Sequence, residues 1–110
     1  MLDIRGGPDL VEEAIQKDHM VLILFTTPGC GVCHAVKEKL ELMLPSYPKL
    51  KAYHADVAEF RELSGAYSIF SAPVVLVFID RKETIRMGRS ISMRQLTADL
   101  NRYYSLYWEG

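Results

Sequence analysis

Two continuous apolar runs constrain this chain more than any other feature: Met20-Val21-Leu22-Ile23-Leu24-Phe25 and Pro73-Val74-Val75-Leu76-Val77-Phe78-Ile79. Neither alternates with polar residues, so neither suits a strand with one wet face. Each reads as a strand covered on both sides, and such strands need helices packed above and below them. Both runs are too short to span a bilayer, which takes roughly 20 apolar residues. The chain has 110 residues, enough for one core, and a single domain over residues 1–110 is expected.

The segments between the runs supply the helices. Pro8 suits a first helical turn, and Leu10, Val11, Ala14 and Ile15 then share a face until Asp18-His19 breaks the pattern. Thr26-Thr27-Pro28-Gly29 punctuates the chain after the first run. A helical stripe follows, of Val32, Val36, Leu40 and Met43, stopped by Pro45-Ser46-Tyr47-Pro48. Leu50, Ala52 and His54 alternate as a strand ending at Asp56. Asp56 and Glu59 have capping-box spacing for a short helix with Phe60, Leu63 and Tyr67 inward. Asp80-Arg81-Lys82 turns the second run back into a strand over Glu83 to Met87, as a hairpin. Ser92 and Gln95 then open a last helix, with Leu96, Leu100, Tyr103 and Tyr107 inward and Tyr104 outward. This order predicts an α/β fold: a mixed sheet of four strands, or five with an edge strand from residues 1–6, and helices on both faces.

Charge excludes some partners. Thirteen basic and fourteen acidic residues leave a formal charge of −1. Arg86, Arg89, Arg94 and Arg102 read as scattered surface charge, so neither nucleic acid nor a membrane surface is expected as a partner. The N-terminus has no basic segment leading into an apolar run, the mark of a secretory signal, so a cytoplasmic location is expected.

Only two cysteines are present, Cys30 and Cys33. They cannot build a disulfide framework, and in a reducing compartment such a pair is more often catalytic or metal-binding than structural. Cys30-Gly31-Val32-Cys33 sits where a buried strand hands over to a helix. Unpaired N–H groups and the helix dipole favour negative charge there, which lowers a thiol's pKa. The spacing lets the two sulfurs join without unfolding the helix. The implied chemistry has two steps: Cys30 attacks a substrate disulfide, and Cys33 then attacks Cys30 to release the reduced substrate.

A buried strand, C-x-x-C opening a helix, and Ser71-Ala72-Pro73-Val74 opening a later strand together resemble the thioredoxin family, over about Pro8 to Tyr107. The pattern is similar to short bacterial thioredoxin-like proteins with CGVCH-type sites. The resemblance implies a thioredoxin fold and a cis bond before Pro73. It further implies that the backbone of Ala72 pairs with an extended substrate, and that Gly29, Gly31, Val32, Ala72 and Pro73 form the substrate-binding surface. Disulfide-containing proteins are the expected substrates and a thioredoxin reductase the expected electron donor, with a monomer and no cofactor. His34, in the first helical turn, could shift the thiols' pKa or simply face solvent.

The family pattern is departed from in three ways. Gly29 stands where thioredoxins proper have Trp, and the only Trp is Trp108. Leu24 stands where the family has a buried Asp that helps move the proton of the second thiol, and Ala52 where it has the partner Lys. Val32 replaces the motif's Pro, which leaves the redox potential open. The resolving step would then use water, Thr26 or His34.

Other readings are available. Cys30-Gly31-Val32-Cys33-His34 spells the c-type haem attachment pattern, but that chemistry calls for export and a mostly helical shell. Cys30, Cys33 and His34, with His19 or His54 more distant, could bind a metal, yet a closed zinc site draws two ligand pairs and no metal is expected. Thr27-Pro28-Gly29-Cys30 matches a fragment of peroxidatic sites without their preceding Pro, and the Pro-Tyr of glutaredoxins is missing. The alternative in a different class is a redox-inactive or metal-linked adaptor that keeps the fold and uses its groove without turnover.

Overall fold

The computed structural model describes residues 1–109. Its elements run β1 (Leu2–Ile4), α1 (Pro8–Lys17), β2 (Met20–Thr26), α2 (Gly31–Met43), β3 (Lys51–Asp56), α3 (Glu62–Tyr67), β4 (Val74–Ile79), β5 (Lys82–Gly88) and α4 (Met93–Trp108). One sheet holds all five strands in the order β1-β3-β2-β4-β5. The first three strands pair in parallel, β4 runs antiparallel to β2, and β4–β5 is an antiparallel hairpin. The predicted α/β fold, with a mixed sheet and helices on both faces, is the one observed, and residues Leu2–Ile4 supply its fifth strand.

Each face of the sheet has its own core. Met20, Leu22 and Leu24 of β2 point toward α2 and α4, where they meet Val36, Leu40, Leu96 and Leu100. Val21, Ile23 and Phe25 point the other way, onto Val11 and Ile15 of α1 and Leu63 of α3. All seven residues of β2 are buried, as a continuous apolar strand requires. At the hairpin turn, Asp80 and Arg81 both take positive φ (48° and 69°). That pair of conformations lets a two-residue turn match the twist of its strands.

Several local expectations need correction. Leu10 is exposed, because only Val11, Ala14 and Ile15 of α1 face the sheet. Val32 is 58 % exposed, and Cys33 takes its place in the buried stripe of α2. Asp56 does cap N–H groups, those of Ala58 and Glu59, but the cap closes a turn and α3 begins only at Glu62. Phe60 and Tyr67 are half-buried, with Leu63 alone fully inside. Tyr104 does not face solvent. Its ring meets Tyr47 edge-on, and its hydroxyl accepts the Lys49 N–H at 2.9 Å. The last helix thus tucks Tyr104 against the loop after α2. Ser92 accepts the Gln95 N–H at 3.1 Å, as its spacing predicts.

Leu100 has no exposed surface and packs between α4 and the sheet. Leu100→Ala should therefore cost about 2–5 kcal/mol of stability in urea unfolding. A loss below about 1 kcal/mol would mean that α4 lies outside the cooperative core.

Candidate active site at the head of α2

β2 ends at Thr26, whose carbonyl accepts the Val57 N–H at 3.0 Å. The chain then turns through Gly29 at φ +79°, a left-handed conformation that glycine adopts without strain. This turn delivers Cys30 as the N-cap of α2, in extended backbone. The first turn of α2 carries no acidic side chain. Nothing there competes with a thiolate for the positive end of the helix dipole.

Cys30 and Cys33 are joined as a disulfide, with their Cα atoms 5.4 Å apart. Cys30 is half-buried and Cys33 is 5 % exposed. Gly31 and Val32 lie exposed between them. A Cβ added at Gly31 would meet nothing within 4 Å. The Ala72–Pro73 peptide bond is cis, with Pro73 buried and Ala72 half-buried. A groove of about 460 Å³ runs beside Ala72, lined by Thr27, Val57, Ile69, Phe70 and Ser71. Phe70 is 83 % exposed at its edge.

Arg86 reads from sequence as scattered surface charge, and the structure gives it a specific task. Its guanidinium donates to the carbonyls of Tyr67 (2.7 Å) and Ser68 (3.2 Å) at the C-terminus of α3. Glu83 holds it in place through two bonds of 2.8 and 2.9 Å. The Arg86 hydrogen bond keeps the Glu83 carboxyl below its usual range. Together they anchor the segment leading to Ala72 and Pro73. The partners are distant in sequence from the turn they brace, so no local signal marks them.

His34 is exposed, and its Nε2 pairs with Glu38 at 2.9 Å one turn along α2. It also lines a second cleft, of about 250 Å³, together with Thr26, Cys30, Cys33, Lys37 and His54. His54 stands on β3 directly across from Leu24. Its Nδ1–H donates to the Asp3 carboxylate at 3.0 Å, and its Nε2 accepts the Thr26 hydroxyl at 2.6 Å. The hydrogen bond from His54 holds the Asp3 carboxyl below the usual carboxylate range. From sequence His54 reads only as a strand residue and a distant candidate metal ligand, and Asp3, in a three-residue edge strand, does not stand out at all. Leu24 and Ala52 supply no polar group, but the neighbouring register position does.

His19 precedes β2, at the opposite end of that strand from Cys30, and its Nδ1–H donates to Asp80 at 3.1 Å. Among the described residues, no three His, Cys, Asp or Glu side chains are grouped to hold a metal ion. Trp108 ends α4 and packs edge-on against Tyr107, with the Lys49 ammonium 4.8 Å from its ring centre.

A thioredoxin family model matches residues 8–102. The thioredoxin-like protein YdfQ of Bacillus subtilis (strain 168) is 37 % identical over 109 residues, covering 97 % of each protein. An NADPH-dependent thioredoxin reductase 3 of Arabidopsis thaliana is 27 % identical over 81 residues, which are 73 % of this chain but 15 % of the reductase. Among solved structures, Fasciola hepatica thioredoxin superposes with a TM-score of 0.82 at 22 % identity, covering 93 % of this chain and 98 % of that one.

Two predictions follow from the geometry. Gly29→Ala has open space for its methyl group, so its cost is purely that of the left-handed backbone, about 1–2 kcal/mol by urea unfolding. The Asp3 carboxyl is depressed in the folded state, so its contribution is fully present above the unfolded pKa of about 3.9 and fades as pH falls through the lower folded value. The stability gap between the native protein and Asp3→Asn should thus be level near neutrality and shrink below about pH 4. A gap that stays constant into acid would show that the pair does not depend on the charge of Asp3.

Proposed function

The chain belongs to the thioredoxin family, and on that premise we propose that it is a thiol–disulfide oxidoreductase, one domain that reduces disulfides in other proteins. The observation that carries this reading is the Cys30–Cys33 pair at the head of α2, one sulfur-bearing residue half-buried and the other 5 % exposed, beside cis Ala72–Pro73. Reduced Cys30, at the positive end of the helix, attacks one sulfur of a substrate disulfide. That S–S bond breaks, a substrate thiolate leaves and takes a proton, and a mixed disulfide remains. Cys33 then attacks the sulfur of Cys30. The second substrate thiol departs, and the protein is left as the Cys30–Cys33 disulfide, having given up two electrons.

The greater exposure of Cys30 and its place as N-cap support its role as attacker, and the burial of Cys33 suits a thiol that reacts only with its neighbour. The backbone of Ala72 pairs with an extended substrate segment, while exposed Gly29, Gly31 and Val32 leave room for it to approach. His34 lies close enough to the pair, in the same turn of α2, to raise the thiolate fraction. A reductase of the NADPH-dependent thioredoxin class is the proposed donor, consistent with the likeness to the Arabidopsis protein of that name. No described helix is long and apolar enough to cross a membrane. The proposed setting is the cytoplasm, with the protein acting as a monomer on protein substrates and without a cofactor.

Equilibration in glutathione or dithiothreitol buffers of graded potential, followed by alkylation and mass measurement, should give a single two-electron transition. Cys30→Ser should abolish exchange, whereas Cys33→Ser should accumulate mixed disulfides with proteins in lysate. If no reversible Cys30–Cys33 disulfide forms at any potential, the protein is instead an adaptor that uses the groove beside Ala72 without turnover.

A further inference from the structure

We propose that Asp3, His54 and Thr26 form a proton relay that serves Cys33, with His54 as its base acting through the Thr26 hydroxyl. The inference rests on the exchange reading above and names how its second step is driven.

The placement comes from strand register. Even-numbered residues of β2 face α2, and so do Ala52 and His54 of β3. Thr26 is therefore the last α2-facing position of β2, beneath the turn that carries Cys30 and Cys33. It is the one polar residue, tyrosines aside, that is buried among those described, at 8 % exposure. A hydroxyl held there needs a partner, and its partner is a histidine. Thr26, His54 and both cysteines line the same cleft. His54 also lines a second cleft, with Asp3, Arg5, Asp56 and Glu59, and part of its side chain reaches solvent. The imidazole thus connects the buried side of the disulfide to solvent.

The hydrogen bonds fix the direction of the relay. Asp3 accepts the Nδ1 proton, so neutral His54 presents the lone pair of Nε2 to Thr26. The other charged groups around His54 are committed elsewhere or aid the thiolate. The carboxylate of Asp56 takes the N–H groups of Ala58 and Glu59, Glu59 pairs with Arg5 at 3.6 Å, and His34 pairs with Glu38. Lys37 shares the cleft with the cysteines and favours negative charge there. Asp3 alone addresses the imidazole and stabilises it once protonated.

The step balances as follows. The Cys33 thiol passes its proton to Thr26 as Thr26 passes its own to Nε2. The Cys33 thiolate attacks the sulfur of Cys30, a bond forms between them, and the bond from Cys30 to the substrate breaks. The substrate thiolate takes a proton from water, and His54 returns its extra proton to solvent at its exposed edge.

Dithionitrobenzoate separates the two steps in one absorbance trace. Attack by Cys30 releases one coloured thiolate, and attack by Cys33 on the resulting mixed disulfide releases the second. His54→Leu and Thr26→Val should slow the second phase relative to the first by about ten- to a hundredfold near pH 7. That gap should close as pH rises past the thiol's own range, because the free thiol then ionises without help. Thr26→Ser keeps the hydroxyl and should retain the fast second phase. A second phase unchanged in both variants, or slowed by one constant factor at every pH, would overturn the relay and leave the exchange reading standing. Release of only one thiolate by the native protein would overturn both.

Discussion

The site depends on β2 being fixed from every side. Its seven residues are buried, it pairs with β3 along one edge and β4 along the other, and both of its faces are covered by helices. Its C-terminal end cannot shift without breaking a ladder on one side and a core on another. The two ladders run in opposite senses, and that brings the site together. Parallel pairing sets Thr26 beside Asp56 at the end of β3. Antiparallel pairing sets Phe25 beside Val74, at the start of β4. Pro73 therefore arrives at the same end of β2 from which Cys30 departs. Ligand sites in open α/β sheets gather at the carboxyl ends of parallel strands, where neighbouring connections diverge, and the cysteines occupy such a position.

What surrounds that position decides how the pair can react. The helix end favours a thiolate on Cys30 through partial charges that cost nothing to keep in place. Cys33, a turn further in, is 5 % exposed, so the two sulfurs differ in access across a separation of three residues. Arg86 and Glu83 add rigidity from a distance: by holding the end of α3 they hold the approach to Ala72 and Pro73. The surface beside cis Ala72–Pro73 is thus formed in advance rather than ordered by contact.

Much of this was legible in the sequence, because the relevant signals are local. Two apolar runs announce strands covered on both faces, the Ser92–Gln95 spacing announces α4, and the two cysteines at a strand-to-helix junction announce the chemistry. The errors share a cause: they lie where tertiary packing selects among residues that a local pattern treats alike. Leu10 and Val32 fit helical stripes, yet each turns outward while its neighbour, Val11 or Cys33, takes the buried place. Tyr104 finds Tyr47 and Lys49 only because the loop after α2 folds back onto α4. Thr26 is a sequence candidate for the resolving step, but its meeting with His54 and Asp3 is not visible there, since the three come from three strands joined only through the register of two parallel pairs. Their separation in the chain hides what the sheet brings together.

The replacement of a carboxylate by Leu24 has a physical logic of its own. A charged group at that position would sit in the middle of a strand with no solvent access, and burial of an uncompensated carboxylate costs several kcal/mol. With leucine there, β2 is apolar throughout and the core around α2 and α4 closes without a polar defect. The polar function moves one strand outward, to the side chain of His54, which is 20 % exposed, and to Asp3, which is 48 % exposed. Desolvation is much smaller there. With the base at the sheet edge, the strand that positions both cysteines stays free of any titrating group.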